Sequence, residues 1–341
     1  MANEGDIVSA KVKAQLDTAT GSGELEASTR SRFIGALDRL LGAFFDLPAT
    51  WLDAKSQNIE HEAELKRQFK TALAAPVLEA TAAGDHEKAR LLGLRAASEY
   101  REFEKTVNLA GVAQKATAAL TDGTGSNEAK VEAEIDEEWL NKFQHFASGA
   151  STEEMRSLWG RILADETLRP GSYSASSLRF VFELDNSMAE ICERFARRNV
   201  DGYIYTTKED QSGAPLDEAL ILQAAGLIVG VGTHLQRTLD LREDKSFAIV
   251  DGHFALTGTR TTSDPVSLPM YVVTKLGKEI FSLLPEPSPK EKLRLIAQQL
   301  MDTEAEKFVS LSLVELGGET APGRRAIIGS EPILVEQKKS D

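Results

Sequence analysis

The hydrophobic pattern of this 341-residue chain changes its period near Val200. Before that residue, apolar side chains recur at three- and four-residue steps, which is typical of amphipathic helices. After it, short apolar runs separated by turn residues predict strands that are mixed with helices. We therefore expect a mainly α protein with a smaller α+β part at its C-terminus.

Changes in composition divide the chain into six predicted segments. A polar, Gly- and Ser-rich arm is followed by long amphipathic helices, a flexible linker, a compact helical domain, a winged-helix-like α+β domain and a mobile tail. In that order, the segments are 1–26, 27–120, 121–134, 135–200, 201–316 and 317–341.

The stretch Ser151–Ser174 predicts a helix with well-marked ends. Ser151 is the expected N-cap, and Glu154 three residues later completes a capping box. A Pro-Gly pair ends the helix, and a second capping box is expected from Ser187 and Glu190 in a later helix. The apolar face of the first helix consists of Met155, Leu158, Trp159, Ile162 and Leu163.

Two features of these helices have a packing explanation. The large ring of Trp159 is expected to fill the core, and the missing side chain of Gly160 lets another helix approach closely. Cys192, the single cysteine, lies among apolar residues of its helix. We expect it to be a small buried hydrophobe rather than a reactive thiol.

The region after Val200 predicts a hairpin in which Asp251 and Gly252 join two strands. Thr274 is the expected N-cap of the helix TKLGKEIFSLL. The order of helix, hairpin, strand and T-x-x-G-x-E is similar to that of winged-helix domains. Residues from Gly317 onwards are rich in Gly, Pro and charge and are predicted to be mobile, with AIIGSEPILV as an alternative strand.

The sequence contains no local motif for catalysis or cofactor binding. It has no phosphate-binding loop and no G-x-S-x-G nucleophile motif, and its five histidines are scattered. A single cysteine excludes a disulfide framework. We therefore expect a non-enzymatic protein without catalytic, cofactor-binding or metal-ligating residues. A catalytic site assembled only by folding is the alternative.

Charge and hydropathy indicate which binding partners and which cellular location to expect. A net charge of -14 disfavours non-specific binding to nucleic-acid backbones, although it does not exclude a local basic patch. The N-terminal residues MANEGDIVSAKVK lack the apolar core of a signal peptide, and no apolar run approaches the roughly 20 residues of a membrane span. Cytoplasmic localisation is the expectation.

Two sets of basic residues are candidate contact sites. Arg156 and Arg161 lie off the apolar face of their helix and Arg169 lies at its end, so the three are candidates for an interaction or anion contact. Capping and surface ion pairing are the alternative for all three. In the winged-helix-like region, the candidates for phosphate contacts are Arg237, Arg242, Lys245, Arg260, Lys275 and Lys278.

The block DEEWLNKFQHFASGASTEEMRSLWGRILADETLRPGSYSASSLRFV (Asp136–Val181) resembles a bacterial family described as a domain of unknown function. The resemblance rests on the pattern D-x-x-W, then S-x-x-x-M-x-x-L-W-G-R-I-L-A-x-E and P-G-S-Y-S. It implies no established activity and no catalytic residues. The long N-terminal helices resemble those of abortive-infection proteins, which implies a role in phage defence.

Three functions are compatible with the sequence. The first is a cytoplasmic protein-interaction protein that forms homo-oligomers through its N-terminal helices or binds another protein. The second is a winged-helix regulator that binds DNA. The third is a membrane-surface effector that inserts residues 33–48, FIGALDRLLGAFFDLP, although a buried core helix is the commoner explanation for such a segment.

Overall fold

The structure is a computed structural model. It describes residues 27–41, 59–121, 133–207, 210, 212–285, 287–321 and 324–335. The predicted N-terminal arm lies outside the described residues. So do residues 122–132 of the predicted linker and residues 42–48 of the segment considered for membrane insertion.

The chain divides into two compact units, Met1–Glu183 and Leu184–Asp341. This division falls earlier than the start of the C-terminal domain at residue 201 that the sequence suggests. Among the described residues, the chain is mainly helical and its antiparallel sheets lie in the C-terminal part, as predicted.

The described part of the first unit consists of helices. They are α1 (Ala27–Leu41), α2 (Ile59–Ala82), α3 (His86–Thr121), α4 (Glu137–Ala147), α5 (Glu153–Leu168) and α6 (Ala175–Glu183). The helices α2 and α3 form a long hairpin with a turn at residues 83–85, and α3 also packs along α5. Buried core residues of the unit include Phe33, Leu37, Leu40, Val107, Val112, Trp139, Phe143, Trp159, Ile162 and Leu163.

The helices α3 and α5 approach closely at Gly160. A Cβ atom on this residue would lie 2.6 Å from Lys115 Cβ and 2.9 Å from the backbone nitrogen of Ala116. A side chain here would therefore push the two helices apart. Trp159 is 1% exposed, and its ring lies edge-on to Phe143 with 5.5 Å between centroids. The sequence prediction for the Trp-Gly pair is confirmed.

Two predicted helix caps are wrong by one or two residues. Thr152, rather than Ser151, caps α5, because its hydroxyl accepts the backbone N–H of Met155. The helix after α6 is capped by Asp185 rather than Ser187, with the Asp185 carboxylate accepting from a backbone N–H. In both places the competing residue offers an equivalent side-chain oxygen close by, so sequence spacing alone does not decide between them.

The second unit combines helices with nine short and long strands among its described residues. The helices are α7 (Asn186–Ala196), α8 (Gly213–Ala224), α9 (Lys275–Phe281) and α10 (Pro289–Glu304). The strands are β1 (Asn199–Val200), β2 (Tyr203–Tyr205), β3 (Ile228–Val229), β4 (Gln236–Leu239), β5 (Ser246–Asp251), β6 (Phe254–Arg260), β7 (Val266–Val273), β8 (Phe308–Ala321) and β9 (Arg324–Val335).

The strands form two antiparallel sheets. The first has the order β1-β2-β7-β3, and β4 pairs with the other end of β7. The second has the order β5-β6-β8-β9. One face of α10 joins residues of both sheets in a single apolar cluster, which contains Tyr205, Phe247, Ile249, Leu256, Leu268, Leu293, Ile296, Leu300, Leu311 and Leu313.

The turn between β5 and β6 differs from its prediction by one residue. Asp251 pairs with Phe254, so the turn residues are Gly252 and His253 rather than Asp251 and Gly252. Gly252 has φ +55 at the first turn position, where a type II′ turn requires a positive φ. Thr274 caps α9 by accepting the backbone N–H of Gly277, as predicted.

The tail predicted to be mobile from residue 317 is structured over most of its length. Residues 317–321 continue β8, and 324–335 form β9, so the alternative strand AIIGSEPILV is confirmed. The pairing has several register shifts. The Gly, Pro and charged residues in this segment are therefore accommodated in an irregular edge ribbon rather than in a loose tail.

Candidate functional site

Arg156 is buried at the centre of a partly exposed polar cluster in the first unit. Its Nε donates to the Ala150 carbonyl at 3.1 Å, and Nη1 donates to Glu62 at 2.7 Å and to Glu153 at 3.4 Å. Nη2 donates to Glu62 at 2.9 Å and to Asn108 Oδ1 at 3.0 Å. These bonds use all five N–H donors of a guanidinium. We call Glu62, Asn108, Glu153 and Arg156 the Arg156 cluster.

The Arg156 cluster links the base of the α2–α3 hairpin to α5. Glu62 belongs to α2, where it also accepts from Lys66 at 2.7 Å. Glu153 accepts from Lys115 of α3 at 2.8 Å. Arg156 is only 5% exposed, so the expectation that it lies off the buried side of its helix is wrong. A ligand anion would reach it only by displacing one of the carboxylates.

The electrostatic environment of Glu62 is strongly perturbed. Hydrogen bonds from Arg156 lower the pKa of this carboxyl from 4.5 to about 2, and the bond from Lys66 acts in the same direction against the effect of burial. The same contacts raise the pKa of Arg156. Both groups are therefore charged at any physiological pH, and the pair is a fixed bidentate ion pair.

The Pro-Gly-Ser-Tyr loop after α5 is held by side chains of the sequence block described above. Glu166 is 2% exposed and accepts the backbone N–H groups of Gly171 at 2.6 Å and Tyr173 at 3.1 Å. The indole of Trp139 donates to the Tyr173 carbonyl at 2.7 Å, and the Tyr173 hydroxyl donates to Asp165 at 2.8 Å. These contacts give the block a structural role.

The other two candidate arginines of this region are not brought together with Arg156. Arg161 is exposed on α5, and Arg169 is exposed at the C-cap of that helix. An anion contact at either residue stays a prediction.

Arg260 does not present a charge at the surface. Its side chain is 2% exposed, lies over the ring of Phe308 at 5.4 Å, and donates to the Pro265 carbonyl and to Glu304 at 3.0 Å each. The prediction of a phosphate contact at Arg260 therefore needs correction, because the end of β6 runs into the core of the second unit and takes this residue with it.

The other candidate phosphate contacts lie on separate elements. Arg237 on β4 donates to the Tyr205 hydroxyl at 2.7 Å and lies over the Tyr203 ring at 4.7 Å. Lys245 donates to the Thr261 carbonyl at 3.1 Å. Both cations thus have internal partners.

The remaining three candidate phosphate contacts are exposed. Arg242 precedes β5, and its carbonyl accepts a hydrogen bond from the backbone N–H of Lys245. Lys275 and Lys278 lie one turn apart on α9, where Lys275 is 3.7 Å from Glu279. Phosphate contacts at these exposed positions stay predictions.

The far end of the α2–α3 hairpin exposes large apolar side chains. Leu78, Leu91 and Leu94 are 66%, 56% and 61% exposed. Every residue from 81 to 88 is also exposed. Sequence inspection did not single out these leucines, because the hairpin is mostly polar and only the structure shows which apolar residues face away from the neighbouring helix.

A second exposed apolar surface lies on α8. Ala219 and Leu222 are fully buried, whereas Leu220 and Ile221 are 45% and 43% exposed. From Asp217 onwards, the exposed positions follow the helical spacing i, i+3, i+4 and i+7, and they are Asp217, Leu220, Ile221 and Ala224. The sequence does carry a signal, because LILQAA is apolar on more than one face of a helix.

Cys192 is buried as predicted. It is 1% exposed, and burial raises the pKa of its thiol to about 12. Among the described residues, no group of three or more His, Cys, Asp and Glu side chains is arranged to hold a metal ion. Within the same ranges, no helix is both long and apolar enough to cross a membrane.

The fold defines a two-unit protein with a helical first unit and an α+β second unit. Residues 95–203 match the model of a family described as a protein of unknown function (DUF2806). The matched range contains the block from Trp139 to Tyr173 and three members of the Arg156 cluster. Neither the curated proteins nor the solved structures gave a match.

Proposed function

We propose that this protein is a non-enzymatic interaction protein that associates with itself through the end of the α2–α3 hairpin. The observation that supports the proposal is the exposure of Leu78, Leu91 and Leu94 near the exposed end of the hairpin, residues 81–88. Burying each of these side chains in an interface would contribute about 1–2 kcal/mol, because each is a little more than half exposed.

Charge favours the hairpin as the point where two copies meet. Each chain carries a net charge of -14, which opposes association of most of its surface. Residues 70–99 contain four basic and four acidic side chains, and their net charge is zero. These are Lys70, Lys88, Arg90 and Arg95, and Glu79, Asp85, Glu87 and Glu99. The end of the hairpin therefore adds no local charge repulsion when two copies approach through it.

Light scattering during size-exclusion chromatography tests the proposal. The wild-type chain is expected to show a mass that rises with concentration across the micromolar range. The double variant Leu91→Asp/Leu94→Asp is expected to stay monomeric. Leu295→Asp is the matched control, because Leu295 is 53% exposed on α10 and lies outside the hairpin. A monomeric wild-type chain at the highest concentration would refute the proposal.

The strand order favours a winged-helix interpretation of the second unit. The helix α8 lies between β2 and β3 in sequence, β7 pairs with both strands, and α9 follows β7. In a DNA-binding domain of this kind, the helix at the position of α8 would enter the major groove and need donors or cations for bases and phosphates.

The composition of α8 argues for a protein partner instead. Its sequence GAPLDEALILQA has no Lys, Arg or His, and it carries Asp217 and Glu218. We therefore propose that this region binds protein rather than nucleic acid. A gel-shift titration with duplex DNA at low salt is expected to show no complex, and a salt-sensitive shift would favour the DNA-binding alternative.

Shallow membrane insertion of residues 33–48 receives no support from the described part of the segment. Phe33, Leu37 and Leu40 are at most 5% exposed and belong to the core of the first unit. The biological setting that we propose, from the resemblance to abortive-infection proteins, is phage defence. Plaque counts on cells that carry the wild-type gene or the hairpin double variant would test it.

A further inference from the structure

We infer that α3 of one copy packs antiparallel on α3 of a second copy, with a two-fold axis beside Leu94. This inference rests on the proposed self-association and adds the geometry of the contact. Both copies use the same face of α3, so each residue of that face meets the face of the other copy in reverse order.

A continuous stripe of α3 is exposed on both sides of Leu94. Its positions are spaced three or four residues apart, which places them on one side of a helix. They are Glu87, Arg90, Leu91, Leu94, Ala97, Ser98 and Arg101. Because all of these positions are exposed, a second helix can lie along them.

The charges of this stripe are complementary when the stripe is reversed about Leu94. Glu87 lies seven residues before Leu94 and Arg101 lies seven residues after it, nearly two helical turns in each direction. In the antiparallel pair, Glu87 of each copy therefore lies opposite Arg101 of the other. Among the described residues, neither side chain has an ionic partner in its own chain. Arg95 lies to the side of the stripe and keeps Glu99 as its partner.

The apolar part of the stripe lies at the centre of the contact. Leu94 meets its equivalent in the second copy at the axis, and Leu91 lies one turn away, opposite Ser98 of the second copy. The small side chains of Ala97 and Ser98 leave room for the larger residues that face them. Four leucines, two from each copy, would thereby be removed from water.

The length of the exposed hairpin fits this position of the axis. The turn at residues 83–85 lies about 15 Å from Leu94 along the helix. In the other direction, every residue from Thr106 to Ala113 is buried, so no second helix can lie along that part of α3. It begins about 18 Å from Leu94. The turn of the second copy therefore ends just before the buried part begins.

A parallel arrangement of the two helices is disfavoured by the same charges. It would place Glu87 beside Glu87 of the second copy and Arg101 beside Arg101, and like charges on neighbouring helices repel each other. Exposed ion pairs add little affinity, so the leucines hold the helices together and the charges set their direction. Because both copies use one surface, association stops at a dimer.

Exchanging the two charges tests the inference. Glu87→Arg and Arg101→Glu are each expected to weaken dimerisation about tenfold in sedimentation equilibrium at low salt, because each variant places like charges opposite each other on both sides of the axis. An equimolar mixture of the two variants is expected to recover wild-type affinity as a heterodimer, since both pairs then carry opposite charges. Glu243→Arg and Arg242→Glu are the matched controls, because both residues are exposed in the second unit and the changes in net charge are the same.

The outcomes separate the inference from the proposed function. Recovery in the mixture, and in the double variant Glu87→Arg/Arg101→Glu, supports the inference, with circular dichroism confirming that each variant is folded. If the wild type associates but the mixture binds no more tightly than the separate variants, the inference is overturned and the proposed function stands. Growth of the wild type beyond a dimer has the same meaning. A monomeric wild-type chain overturns both.

Discussion

Replacing Arg156 with Met removes the centre of the polar cluster while keeping most of the apolar stem. The substitution deletes five hydrogen bonds and leaves the Glu62 carboxylate without its bidentate partner. Removing one partner of a buried ion pair typically costs about 3–5 kcal/mol. Glu62 is 24% exposed and keeps Lys66, so we expect a loss of about 2–3 kcal/mol in the free energy of unfolding.

The pKa of Glu62 gives a second route to the same magnitude. Lowering it from 4.5 to about 2 corresponds to about 3 kcal/mol of preferential stabilisation of the carboxylate in the folded state. Arg156 supplies the largest favourable contribution and Lys66 a smaller one. The loss on removing Arg156 should therefore be most, but not all, of this amount.

Urea unfolding followed by tryptophan fluorescence measures the change in the free energy of unfolding of the first unit. The three tryptophans of the chain all fall within residues 1–183, so the signal reports on the first unit alone. Arg161→Met is the matched control, because Arg161 is exposed on the same helix. We expect the control to change stability by no more than about 0.5 kcal/mol.

A double-mutant cycle that combines Arg156→Met with Glu62→Gln measures the interaction energy of this ion pair. The coupling energy between Arg156 and Glu62 is expected to exceed about 1 kcal/mol, since the two side chains share two hydrogen bonds. If Arg156→Met destabilised the first unit no more than Arg161→Met, the cluster would not hold the hairpin base, and the reasoning would be refuted.

Three further predictions concern stability and reactivity. Because the pKa of Glu62 is lower in the folded than in the unfolded chain, its contribution to stability is present above about pH 4.5 and is lost as the pH falls toward 2. In acid titrations, the free energy of unfolding of the wild type should therefore fall by about 3 kcal/mol more than that of Glu62→Gln. Gly160→Ala should destabilise the first unit by about 1–3 kcal/mol in urea titrations, because the new Cβ would meet Lys115 at 2.6 Å, whereas Gly93→Ala, with no atom within 4 Å, should stabilise it by about 0.5–1 kcal/mol. Cys192 should react with Ellman's reagent only after denaturant is added, because its thiol is buried and its pKa is raised to about 12.

Each of these three has an outcome that contradicts it. Parallel acid profiles for the wild type and the Gln variant would show that the carboxylate is not stabilised by its neighbours. Equal effects of the two Gly→Ala variants would show that α3 and α5 are not in close contact. Rapid labelling of the native thiol would show that α7 opens readily.

Local signals in the sequence predicted the elements but not their long-range connections. The helix with Trp159 and Gly160 and the cap at Thr274 followed from spacing, because caps and apolar stripes depend on residues within a few positions. The pair of Glu62 and Arg156 spans 94 residues, and a single sequence carries no signal for it. For this reason the position of Arg156 off the apolar face of its helix wrongly predicted an exposed side chain.

The same limit explains the errors in the second unit. Arg260 resembles an exposed cation in sequence, because only the packing of β6 against β8 and the position of Glu304 make it internal. The strand β9 resembles a mobile tail, because its Gly, Pro and charged residues are compatible with an irregular edge strand only when β8 lies beside it. In both cases the environment is supplied by residues distant in sequence.

Stability and the proposed self-association depend on different regions of the hairpin. At the base, Glu62 and Asn108 are fixed by Arg156, whereas the exposed leucines lie nearer the far end of the two helices. Substitutions at the base should therefore lower stability and leave the exposed leucines unchanged, whereas Leu91→Asp and Leu94→Asp should weaken the proposed self-association with little effect on stability. Because the pKa of Glu62 is lowered to about 2, the ion pair at the base keeps its charges at neutral pH, where self-association would be measured.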